Sequence, residues 1–71
     1  MNKGYTLTIN NTNYFFVTDK KTITSKLVKQ VKETLQQDNN LTPTITFSLR
    51  SKLKPAELDT SSTNFKVVVI N

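Results

Sequence analysis

Polar and apolar residues alternate in several short runs of this chain and recur at helical spacing in one longer stretch. In residues 5–9, Tyr5, Leu7 and Ile9 share one face and Thr6 and Thr8 the other, which predicts a half-buried strand. Residues 10–13, Asn-Asn-Thr-Asn, predict a turn, because asparagine tolerates left-handed backbone and bonds to nearby amides. Residues 14–18, Tyr-Phe-Phe-Val-Thr, are aromatic and β-branched and predict a second strand. A two- or four-residue turn would join the two as a hairpin. Either length places Tyr14 and Phe16 on the face of Leu7 and Ile9, and Phe15 and Val17 beside Thr6 and Thr8.

Residues 22–38 hold the helical pattern. Ile23, Leu27, Val28, Val31 and Leu35 span an arc of about 140° at ~100° per residue, a core-facing stripe. Lys26, Lys29 and Lys32 fall on the opposite arc. Asp19 or Thr22 could cap the start, and Asn39 or Asn40 could end the helix in left-handed conformation. Pro43 prevents its continuation.

Residues 44–49 alternate again. Ile45, Phe47 and Leu49 oppose Thr44, Thr46 and Ser48, and a third strand is expected. Residues 50–64 carry little pattern. Pro55 could open a short helical turn to Asp59 with Leu53 and Leu58 tucked inward, and Thr60 to Asn64 reads as a polar loop. Arg50, Lys52 and Lys54 would form a basic row if the third strand runs on through them. The chain closes on residues 65–71, where a near-continuous β-branched run predicts a central strand. Phe65, Val67 and Val69 form one set of that strand, and Lys66, Val68 and Ile70 the other.

The order is ββαββ, and the expected class is α+β: one domain over residues 1–71, with a four-stranded mixed sheet and one helix packed on one face. The first and last strands would lie side by side, parallel and central. In this order of elements the chain resembles the β-grasp superfold of ubiquitin-like proteins and bacterial immunoglobulin-binding domains. The resemblance implies a sheet face left uncovered by the helix. The ubiquitin-like modifiers and sulfur carriers act through a C-terminal Gly-Gly, whereas this chain closes on Val69-Ile70-Asn71, so it does not look like one of them.

Composition narrows the function. With no cysteine and no histidine, disulfides, thiolate and imidazole metal sites and Ser–His or Cys–His nucleophile pairs cannot be built. The acids are scattered and show no EF-hand spacing. No metal, cofactor or enzymatic activity is expected. No apolar run is long enough to span a bilayer and the first residues lack an apolar signal core, so a cytoplasmic protein is expected. Abundant Lys, Asn and Ile beside one Gly, one Ala and one Arg suggest a low-GC bacterium or its mobile elements.

The net charge of +5 favours an acidic protein, a nucleic acid or another anionic surface. The leading expectation is a small interaction protein, such as a phage or mobile-element inhibitor of a host protein. It would bind a protein partner through the uncovered sheet face, an edge strand (residues 14–18 or 44–49) or the basic surface. On that face Phe15, Val17, Lys66, Val68 and Ile70 are the candidate contacts, and a homodimer could form there. The basic surface comprises Lys20 and Lys21, the helix lysines Lys26, Lys29 and Lys32, and the row Arg50, Lys52 and Lys54. Two alternatives stand beside this reading: a nucleic-acid-binding protein using those lysines, and a structural assembly subunit.

Overall fold

The computed structural model describes residues 2–59, 61 and 64–70. The elements in chain order are β1 (Asn2–Ile9), β2 (Thr12–Val17), α1 (Ser25–Gln37), α2 (Pro43–Lys52), β3 (Lys54–Leu58) and β4 (Lys66–Val69). The α+β class with a four-stranded mixed sheet holds. The expected ββαββ order does not, because a second helix follows the first.

The hairpin forms as its pattern dictates. Asn10 and Asn11 take φ of 51° and 64°, the two left-handed residues that a type I′ turn requires. That fixes Leu7 opposite Tyr14 and Tyr5 opposite Phe16. The Tyr14 and Phe16 rings stack with centroids 5.7 Å apart.

Helix α1 starts at Ser25, later than expected, because Thr24 is the cap: its hydroxyl accepts from the Leu27 N–H at 3.1 Å. The helix ends in a Schellman motif. Asn39 has φ 58°, the Asn39 N–H donates to Gln36, and the Asn40 N–H donates to the Leu35 carbonyl at 2.8 Å.

Residues 44–49 are helix, not strand. Thr42 caps α2 by accepting from the Ile45 N–H, and Pro43 occupies the first turn, where its missing N–H is harmless. Ile45, Leu49 and Leu53 lie four apart and turn one stripe inward, while Phe47 is left 92% exposed. The hydroxyls of Thr46 and Ser48 bond back to carbonyls one turn earlier, which keeps these polar residues compatible with a helix.

Pro55 lies in strand β3 rather than opening a helical turn. Thr60, within the expected polar loop, and Ser62 and Thr63 lie outside the described residues.

The sheet order is β3-β1-β2-β4. β1 runs antiparallel to both β2 and β3, and β2 runs parallel to β4. The final strand is therefore an edge beside β2, not a central strand beside the first. Both helices pack on one face. Their Leu27, Val31, Leu35 and Leu49 join Leu7 and Phe16 in the core. No helix among the described residues is long and apolar enough to cross a membrane.

β3 and β4 run the same way at opposite edges of the sheet.

Candidate functional site

The register distributes the candidate sheet-face residues differently from the expectation. Side chains of directly paired residues share a face. Phe15 pairs with Thr6 and Val67, and Val17 pairs with Gly4 and Val69, so these point away from the helices. Val68 pairs with Phe16 and so points toward the helices, as Ile70 does. Ile70 belongs to the core and Val68 packs against it. The expected set Phe15, Val17, Lys66, Val68 and Ile70 is thus split between two faces.

Phe15 itself is fully buried. Its ring lies beside Gly4, where an added Cβ would stand 3.0 Å from a ring carbon and 2.0 Å from the Phe16 carbonyl oxygen. The absence of a side chain at Gly4 lets the ring lie against the sheet. What this face does expose is Val69, at 66%.

The two expected edge strands are also reassigned. Residues 14–18 lie inside the sheet and 44–49 are helical. The true edges are β3 and β4. Along β4 the Ile70 N–H donates to the Val17 carbonyl at 2.8 Å. A residue in a parallel ladder turns its N–H and C=O to one side and its neighbour turns them to the other. Lys66 and Val68 therefore face β2, while Val67 and Val69 direct their backbone groups outward, where the sheet ends.

Lys66 is part of a polar clasp that the sequence pattern did not reveal. Its Nζ donates to Asp38 Oδ2 at 2.6 Å, the one ion pair among the described residues. The Tyr14 hydroxyl donates to the same oxygen at 2.8 Å and accepts from Asn40 Nδ2 at 2.7 Å. Asn10 Nδ2 donates to Asn40 Oδ1 at 3.2 Å. The Lys66 and Tyr14 bonds hold the Asp38 carboxyl below its ordinary value. The bond to Asp38 raises Lys66. Burial, above all, pushes the Tyr14 hydroxyl up. The clasp joins the end of α1, the hairpin and the start of β4. Each of these five side chains is hydrogen-bonded to another of them, which gives the clasp a structural role.

The basic residues separate into groups. Lys20 and Lys21 line an open cleft of about 1180 Å³ at the end of the sheet, together with Lys3, Asp19, Pro55 and Glu57. Lys29, Lys32 and Arg50 come together with Ser25 and Val28 around a hollow of about 280 Å³ between α1 and α2. One guanidinium nitrogen of Arg50 donates to the Ile23 carbonyl at 2.9 Å and so anchors the side chain. Lys26 lies exposed on α1. Arg50 and Lys52 do not form a row with Lys54, because the first two are helical and Lys54 opens β3. Among the described residues no cluster of acids could hold a metal ion.

Compared with known protein families, curated proteins and solved structures, the chain matches none.

Proposed function

We propose that this is a non-enzymatic interaction protein whose β4 edge captures an extended, acidic segment of a protein partner as a fifth strand. The observation that carries this reading is the β4 edge at Lys66–Val69, which no strand covers among the described residues. Val67 and Val69 offer outward backbone donors and acceptors that have no partner among the described residues, and Val69 adds an exposed apolar side chain. Strand addition draws affinity from such main-chain groups and specificity from alternate side chains. The net charge of +5 favours an acidic segment and works against a second copy of the same chain, which would carry the same charge. A host-protein inhibitor encoded by a phage or other mobile element is the role in which we place such an edge.

Photo-crosslinking in producing cells tests this. A crosslinking residue at position 69 should give an adduct with an acidic protein, and the same residue at position 57 on β3 should not. Equal adducts from both positions, or none from 69, would remove the proposal. An adduct of the chain with itself would replace the partner by a second copy.

A further inference from the structure

Phe47 is the most exposed large apolar residue described, at 92%, and no contact within the fold accounts for it. It lies one turn before Arg50 on α2, about 5 Å along the axis, so the two share a face. Arg50 lines the hollow with Lys29 and Lys32. None of these three cations has a carboxylate partner among the described residues, although Glu33 lies one turn beyond Lys29 on α1. The hollow therefore gathers positive charge that the fold itself does not neutralise. Lys26, Lys29 and Lys32 extend the charge along α1 for about 9 Å, which suits a chain of phosphates better than a single one.

An uncovered aromatic ring beside an uncompensated basic groove is the pairing that holds single-stranded nucleic acid: bases stack on the ring and phosphates follow the cations. Of the other aromatic residues, Tyr5, Tyr14, Phe15 and Phe16 are buried and Phe65, before β4, is half-buried, so Phe47 is the freely exposed ring. We infer that the α1–α2 surface binds single-stranded nucleic acid, with phosphates at Lys29, Lys32 and Arg50 and a base stacked on Phe47. This surface is made by the helices and is independent of the β4 edge, so either can fail without the other.

Fluorescence anisotropy with a labelled mixed-sequence single strand is the test. Binding should weaken with salt at a log–log slope of about −2, from about −0.7 for each of three neutralised phosphates. Phe47→Ala should bind roughly five- to hundredfold more weakly, the range for loss of one stacked base, with its thermal midpoint unchanged. Lys29→Gln combined with Lys32→Gln should flatten the salt slope. A control with the same change in charge, Lys3→Gln with Lys54→Gln, should bind close to the unaltered protein. Duplex of the same sequence should compete poorly, because its bases are already stacked. Absence of binding at low salt, equal losses in the control, or an unaffected Phe47→Ala variant would each overturn the inference.

Discussion

The two edges of the sheet are built from opposite materials. β3 carries Lys54, Pro55 and Glu57, all exposed. Proline cannot donate to a ladder and survives in a strand only where its missing N–H would face solvent. A charge on either side of it further discourages another strand from pairing. β4 consists of Lys66 and three valines, and the lysine is turned back to Asp38. Natural sheets guard their edges with proline, charge or cover, and among the described residues β3 carries such a guard and β4 does not. The difference shows that an edge can be read from which backbone groups remain free, and it directs the search for a partner to β4.

The largest expected effect comes from the strand that separates the two edges from a common failure. Gly4 pairs with Val17 on one side and Ala56 on the other. A Cβ there would stand 2.0 Å from the Phe16 carbonyl oxygen, which is backbone and cannot swing away. Gly4→Ala should lower the unfolding free energy by about 3 kcal/mol, the upper part of the overpacking range. Urea denaturation measures it, and an unchanged midpoint would mean that β1 does not sit this close to β2.

Proline scanning sharpens the reading of β4. Val69 turns its N–H outward, so Val69→Pro should leave the thermal midpoint nearly unchanged while abolishing strand addition. Val68 turns its N–H toward β2, so Val68→Pro should lose about 2–3 kcal/mol by deleting a ladder bond and leaving a carbonyl unpaired. Were the two variants equally stable, the inward and outward assignment along β4 would be wrong.

The clasp that ties β4 to α1 has a pH signature. Asp38 is held below its ordinary 3.8, so its contribution is present above that value and is lost as pH falls through the lower folded value. Lys66 is raised above 10.5, so its contribution is full below that value and is lost as pH rises through the higher folded one. Tyr14, raised above 10.0, weakens the fold in the same alkaline direction. The stability gap between the unaltered protein and Asp38→Asn should be widest near neutrality and narrow at both extremes. Urea midpoints across pH would show this, and a gap independent of pH would remove the ion pair from the account.

The hairpin and α1 were legible in the sequence because their signals are local: strict alternation around an asparagine turn, and a stripe of apolar residues. α2 was not, because Ile45, Phe47 and Leu49 fit both a strand and a helix. Thr42-Pro43 and the continuation to Leu53 decide for the helix, and the cost is one stranded aromatic, Phe47. β3 carries a proline and mostly exposed residues, the composition of a guarded edge, and so shows no strand alternation. The β-branched run of β4 reads as a strand, but a near-continuous apolar run does not reveal which face each residue takes. Only its pairing with β2 settles that Val67 and Val69, not Val68 and Ile70, point away from the helices. The clasp was invisible because Tyr14, Asp38 and Lys66 lie far apart in sequence and meet only once the sheet order is set.

The smallest expected effect belongs to the turn at the tip of the central hairpin, which joins neither edge strand. Asn10 and Asn11 both hold positive φ, which asparagine tolerates and glycine adopts freely. Asn11 is exposed, so replacing it removes no packing. Asn-Gly is the preferred pair for a type I′ turn. Asn11→Gly should therefore raise stability by about 0.5–1 kcal/mol, the left-handed strain relieved exceeding the extra unfolded-state entropy of glycine. Asn10 has to stay, because its amide reaches Asn40 in the clasp. Asn10→Gly would therefore relax the same kind of backbone strain while cutting that bond, and its gain should be smaller than that of Asn11→Gly. Equal gains from the two would show that the Asn10–Asn40 contact contributes nothing to holding the hairpin against the end of α1.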